Sequence, residues 1–444
     1  STLKSPSYTK SVSWQHYPGL LPCLSWAEGR TDNIAAIPLI SDSSLDVSLR
    51  NYWKYLKEDA ANPKTVHAAW GQGVALDYTS GYFADLIGFN LSYYGAIKLG
   101  ASDRFDSRGI LYNAGHGNTK GDAQGFSKLG QRYVKLKLGN ETLKGELHGG
   151  WEMLPNFGII GTSWRLSPIT YLGWNGVAAF NDTQLRIAWI SRSLDRSSPE
   201  QTHFKTNDNR NIDHIVTGDI TYQHDSLKLQ YGAGESDGYL RRQHLFFSDA
   251  VTPRLSIGSQ IYLTQALDAY RAMPAQRRDF DRYARHYALE MTWQENGFRS
   301  RWGLGYTRAA KENSVGFYPR HMSRLSFGNF ISLASAGDDY LRDKELMLAT
   351  MTDYQFTPEL LAGVAANAGT FRYRGLNVKT GEVNLYGRWT PSSPDLKNLS
   401  VWVMFGPGWS YKNVKRTPIL HHGDYNHSHF LAGEIIIDYR FKLL

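Results

Sequence analysis

Nine basic residues share one feature of placement. Arg50, Lys54, Lys98, Lys135, Lys137, Arg186, Arg299, Arg301 and Arg388 each alternate with apolar neighbours, so in an extended chain they face away from the apolar side. A row of guanidinium and ammonium groups along an enclosed path attracts anions, because low-dielectric walls focus the field into the lumen. A carboxylate then meets charge-assisted hydrogen bonds, which arginine makes bidentately. The same parity carries Tyr52, Tyr94, Tyr386 and Trp402. Such rings stack on the C–H faces of sugars while nearby polar groups take the hydroxyls. Taken singly, each base is also an ordinary charge on a solvated sheet, and Tyr52 and Tyr94 are equally wall or girdle packing.

The elements that must position these groups are strands. SLDVSLRNYWKYLK puts Leu45, Val47, Leu49, Trp53 and Tyr55 on one face and Asp46, Ser48, Arg50, Tyr52 and Lys54 on the other. LIGFNLSYYGAIKL, YVKLKLG, LRIAWISR, RLSIGSQIYL, HYALEMTW, FRSRWGLGYTR, EVNLYGRW and GEIIIDYRF repeat that alternation. Turn dipeptides stand at Ser80-Gly81, Gly139-Asn140, Asn181-Asp182, His224-Asp225, Asn296-Gly297 and Thr357-Pro358, and long polar loops at 101–128, 193–211, 266–282 and 309–344. Short turns at one end and long loops at the other predict an all-β fold: a transmembrane antiparallel up-and-down β-barrel of about 18 strands, turns periplasmic and loops extracellular. Near the C-terminus, LSVWVMFGPGW predicts a strand with Val401, Val403 and Phe405 facing lipid and Trp402 and Met404 facing inward.

Composition agrees. The 444 residues have a mean hydropathy of −0.43 and no apolar run of 18, which excludes an ordinary transmembrane helix. With 27 Tyr, 19 Phe and 13 Trp, the chain can still furnish aromatic girdles. A single cysteine, Cys23, excludes an internal disulfide. The net charge of +8 is dispersed, without the cluster a nucleic-acid footprint needs. No G-x-S-x-G, H-E-x-x-H or P-loop is present, so neither an enzyme nor a cofactor is expected. GAGESDG (Gly232–Gly238) reads as a loop between strands, and HHGDYNHSH (His421–His429) as a polar loop, with no metal expected. The N-terminal stretch lacks the apolar segment of a signal peptide, so an exported form is expected to be the mature sequence.

Four stretches, SSLDVSLRNYW, WGQGVALDYTSGY, VKLKLGNETLKGEL and PDLKNLSV, resemble the OprD-type porins, substrate-specific outer-membrane channels of Gram-negative bacteria, from about Leu39 to the end. The resemblance implies an integral outer-membrane barrel in contact with lipid and lipopolysaccharide, monomeric or a loose trimer. It also implies passive diffusion of small water-soluble solutes through an eyelet made by inward-folded third and seventh loops, placed here at Trp151–Ser167 and Ala309–Asp339. A lumenal basic ladder is implied too, and Arg50, Lys135, Lys137 and Arg186 fit it. Trp402 and Met404 stand where the family commonly has arginines, and Glu434, followed by Asp438, where another base is usual. Residues 39–444 are therefore expected to form the barrel and 1–38 an extension, either an arm or a plug. Anionic, carboxylate-bearing solutes are the first expectation. Neutral or amino sugars, including chitooligosaccharides, are the alternative, followed by a plugged non-conducting barrel or a barrel enzyme.

Overall fold

The computed structural model describes residues 38–444 apart from 59–64, 104–107, 116, 118, 335–339, 410–418, 422–423 and 427–428, and the side chains of 65, 419–421 and 424–426 are also left out. The expected N-terminal extension lies outside the described residues except for Pro38, and so do the side chains of 421–428 in the histidine-rich stretch.

Eighteen long antiparallel strands form one closed sheet. They are β1 (Ser44–Glu58), β2 (Thr65–Thr79), β3 (Ile87–Ala101), β4 (Phe126–Gly139), β5 (Leu143–Glu152), β6 (Thr170–Phe180), β7 (Thr183–Leu194), β8 (Ile215–His224) and β9 (Leu227–Ser236). The second half comprises β10 (Leu240–Ala250), β11 (Leu255–Ala266), β12 (Tyr283–Glu295), β13 (Phe298–Ala309), β14 (Leu346–Gln355), β15 (Leu360–Tyr373), β16 (Leu376–Trp389), β17 (Ser400–Gly408) and β18 (Phe430–Lys442). Each strand pairs with its sequence neighbour, and β1 pairs with β18 from Asp46↔Lys442 to Glu58↔Phe430. Closure leaves no edge, which is the condition for backbone amides and carbonyls to survive in hydrocarbon.

Alternation sorts the side chains as the sequence predicts. Leu91, Ile97, Leu185, Leu245, Leu289, Leu348 and Leu385 are exposed on the outside, facing lipid. Outward rings gather near the strand ends: Tyr222, Phe298, Tyr354 and Trp389 toward the turns, Trp70, Tyr283 and Tyr306 toward the loops. The two ends are less uniform than expected. The loop end also holds the tight connections 237–239 and 374–375, and the turn end has a ten-residue connection, 390–399, with a short 3-10 turn at Pro394–Leu396.

GAGESDG is a correction. Gly232 to Ser236 continue β9, and only residues from Asp237 form the turn. The glycines there make room on the inner wall: a Cβ on Gly234 would lie 2.4 Å from the Ile159 side chain, and one on Gly232 2.2 Å from His244. A glycine-rich string in a strand signals a close approach from inside, not a break. At Gly234 that approach is made by a loop, and at Gly232 by a side chain of the neighbouring strand β10. The main apolar core lies within the lumen, where Leu154, Phe157, Ile159 and Ile160 pack with Phe204, Tyr262, Tyr318, Met322 and Phe330.

At the seam between first and last strands, the Arg50 guanidinium grips Asp438 with two hydrogen bonds, 2.6 and 2.8 Å long. Replacing Asp438 by Ala leaves a buried guanidinium without its carboxylate. It should lower barrel stability by about 2 kcal/mol, read as an earlier loss of the heat-modifiable folded band. An unchanged transition contradicts this role.

Candidate functional site

The lumen is narrowed by two inward loops, L3 (153–169) and L7 (310–345), joining β5 to β6 and β13 to β14. They meet in a small ladder of their own, Ile160–Gly161 against Phe327–Gly328, and Asn329 donates from its side chain to the Gly158 carbonyl at 2.8 Å. L3 is pinned to β8. The Gly158 amide donates to Asp219 and the Ile159 amide to Thr217, both at 2.8 Å. Gly158 has φ +58, and a Cβ there would come within 2.3 Å of the Thr217 hydroxyl, so both conformation and space demand glycine. On the other side, Leu166 presses against β2, where Cβ atoms on Gly71 and Gly73 would strike it at 2.4 and 3.2 Å.

The structure places the expected wall residues as follows. Arg50 is paired with Asp438 and also donates to the Arg165 carbonyl of L3 at 3.4 Å. Arg186 is paired with Asp219 at 2.5 Å, donates to the Asn156 carbonyl of L3 and lies over the Phe157 ring. Arg299 pairs with Asp353 at 2.7 Å, and Arg301 with Glu290 at 3.2 Å. Lys54 stands opposite Glu434 in the β1–β18 register. Lys135 and Lys137 sit at the turn end, on the Tyr82 ring, where Lys135 donates to the Ser80 carbonyl and Lys137 to Asp85. Lys98 is exposed at the loop end and donates to the Lys120 carbonyl at 2.7 Å. These bases do not form one bare cationic track, since most are matched by acids or carbonyls.

Trp402, Met404 and Glu434 face inward and are buried. The Trp402 ring stacks on Tyr386 at 5.2 Å, and its indole N–H points at Glu434, which also accepts from the Tyr52 hydroxyl. Tyr386 donates to Asp353 at 2.8 Å. Tyr94 is fully buried, bonded to Gln131 and packed edge-on against Trp164 of L3. Tyr94 is therefore wall-to-loop packing and offers no ring to a solute.

Beside L3, toward the turn end, lies a cavity of about 250 Å³ between β1, β2 and β16–β18. Arg50, Arg388 and Arg440 line it with Asp438, and Trp164, Leu166 and Trp402 give it apolar walls. Arg388 rests on the Trp402 ring at 5.2 Å, and among the described residues it has no carboxylate within ion-pair distance. Three guanidinium groups against one carboxylate, beside two indoles, suit an anion with a flat or apolar body.

Several participants escaped the sequence reading. Arg440 shares the parity of Glu434 and Asp438, and continuing that count would have found it. Lys128, at the border of a long loop, is in fact an inward residue of β4, donating to the Asp195 and Ser198 carbonyls of the loop 195–214. Trp164, Arg165 and Arg196 lie in loops, where no periodicity marks an inward side chain. Arg196 bonds Ser163 and covers Phe327, tying three loops together. Burial, with the Arg165 charge beside it, pushes its pKa down, although a guanidinium stays cationic at neutral pH.

The model of the outer membrane porin OprD family matches residues 39–402. Porin D of Pseudomonas aeruginosa is 32% identical over 148 residues, covering 32% of this chain and 31% of that protein. The membrane-associated protein UidC of Escherichia coli is 33% identical over 89 residues, covering 20% and 21%. The chain thus aligns with about a third or less of the length of these curated relatives. Solved structures share the fold over nearly the whole chain. OccAB2 of Acinetobacter baumannii superposes with a TM-score of 0.69 at 19% identity, over 92% of this chain and 100% of that one. OpdK of Pseudomonas aeruginosa, crystallised with vanillate, gives 0.69 at 16% identity, over 91% and 100%.

Because L3 owes its seat to Gly158, Gly158→Val should displace the loop from β8. The expected result is a larger single-channel conductance in planar bilayers, with about 2 kcal/mol of loop docking lost. An unchanged conductance contradicts L3 as the constriction.

Proposed function

The chain belongs to the OprD family of outer membrane porins, and from that premise we propose that it is a passive diffusion channel for small carboxylate-bearing solutes with a flat or apolar body. The observation that carries this is the cavity beside L3, where Arg50, Arg388 and Arg440 outnumber Asp438 and Trp164, Leu166 and Trp402 form the walls. A carboxylate entering it exchanges water for charge-assisted hydrogen bonds, and its apolar part leaves water against the indoles. Its volume, about 250 Å³, suits a solute of one ring. OpdK, the structural neighbour crystallised with vanillate, is a barrel of the same fold whose ligand has this chemistry.

Transport by this route needs no covalent step. The solute is drawn toward net positive charge, loses part of its hydration at the L3–L7 constriction and is held weakly enough to leave toward the turn end. The paired residues Arg186–Asp219, Arg299–Asp353 and Arg301–Glu290 keep the rest of the wall polar without trapping an anion. That same pairing, with the Tyr386–Trp402 stack, favours the second reading, a channel for neutral or amino sugars.

A bilayer experiment separates the two. Under a salt gradient the native channel should show a reversal potential of anionic sign, and benzoate should block it more than an uncharged disaccharide. Arg388→Gln should weaken benzoate block by about tenfold, the loss of one charge-assisted contact of roughly 1.4 kcal/mol. Block by the sugar alone, unaffected by Arg388→Gln, rejects the carboxylate reading in favour of the second.

A further inference from the structure

His286 does not line the cavity beside L3, and it holds L7 to the wall. It projects inward from β12 near the loop end and is fully buried. Its Nδ1 meets the Thr307 hydroxyl of β13 and its Nε2 the Ser332 hydroxyl of L7, both at 2.9 Å. The L7 residues on either side of Ser332 are docked through their amides: Ile331 donates to the Tyr262 hydroxyl at 2.9 Å and Leu333 to Glu290 at 3.2 Å. Phe330 lies against His286, Tyr262 and Tyr318. A run of four L7 residues thus rests on one histidine and its neighbours.

The surroundings of that histidine are built for a neutral ring. On its own strand it is flanked by Ala284 and Ala288, and Glu290 comes four residues on, about 13 Å along the strand. Glu290 is already engaged by Arg301, by Gln260 and by the Leu333 amide. From β11 come Tyr262 and Thr264, and from β13 Thr307 and Gly305. L7 contributes Tyr318, Phe330 and Ser332. Beyond this shell, Arg242 of β10 lies over the Tyr318 ring at 5.1 Å and Arg320 over the Phe330 ring at 5.9 Å. Among the described residues no carboxylate touches the imidazole.

We propose that His286 is a pH-sensitive latch for L7, which keeps the loop docked while its ring is neutral and releases it when the outside medium turns acid. A proton on the ring places a charge in a box of rings and hydroxyls that, among the described residues, offers it no carboxylate in contact. Undocking Ile331–Leu333 lets water reach it. The sign follows from linkage. A histidine that is charged only when undocked stabilises the docked state fully at high pH. That stabilisation is lost as pH falls below the ordinary histidine value of about 6.5, by up to tenfold in the docking equilibrium per pH unit. L7 and L3 share the ladder of Phe327–Gly328 on Ile160–Gly161, so release of L7 also loosens the constriction. The latch rests on loop packing, whatever solute the channel carries.

Two readouts test it. In bilayers, lowering pH on the loop side from 7.5 to 4.5 should raise the conductance of the native channel, whereas His286→Gln, which keeps a hydrogen-bonding side chain but cannot titrate, should show a flat profile. Independently of conduction, hydrogen exchange of the 327–333 amides, corrected for intrinsic pH dependence, should quicken with acid in the native protein and not in the variant. If His286→Gln fails to fold, the native exchange profile decides alone. A native protein whose 327–333 amides keep their protection down to pH 4.5, or a variant with the native pH profile in both readouts, overturns the latch.

Discussion

Everything in this molecule depends on the seam where β1 pairs with β18. A sheet in hydrocarbon cannot leave an edge, because each unpaired amide or carbonyl there costs several kcal/mol. The chain meets that demand with an unbroken register from Asp46↔Lys442 to Glu58↔Phe430. This register also fixes lumenal chemistry, since it sets Arg50 beside Asp438 and Lys54 opposite Glu434. The backbone closes the barrel, and the closure chooses which charges cancel.

Inside the closed wall a second demand operates. A lumen this wide would hold water unless something fills it, and L3 and L7 do so with an apolar core of their own. Their backbones enter a confined space and must find partners. They find them in each other, through Ile160–Gly161 and Phe327–Gly328, and in wall side chains such as Asp219, Thr217, Tyr262 and Glu290. Many inward polar residues are therefore loop holders and not solute contacts. Arg242, fully buried and donating to the Arg320 and Pro319 carbonyls, shows this most plainly. The space we propose for a solute is the cavity between L3 and β16–β18, where among the described residues Arg388 has no acid within ion-pair distance.

Parity made much of the wall legible from the sequence. Trp402 and Met404 point inward because their neighbours Val401, Val403 and Phe405 need lipid, and period-two alternation carries that information locally. Partners were not legible. Nothing in the strand around Arg299 announces Asp353, more than fifty residues away, and it is their juxtaposition that turns a basic ladder into a series of ion pairs. Loops hid their content for a related reason: Trp164, Arg165 and Arg196 obey no period, so only folded contacts reveal which way they face. Gly158 and Gly234 were visible as residues but not as seats for a loop, because their meaning lies in what approaches them.

The central claim, that solutes are selected in the cavity lined by Arg388 and Trp164, is tested most directly by diffraction from crystals soaked in 4-iodobenzoate. The account predicts an anomalous iodine peak inside this cavity, with the carboxylate on Arg388 and the ring against an indole. Iodine found only elsewhere in the lumen, with the cavity empty at saturating ligand, would contradict it.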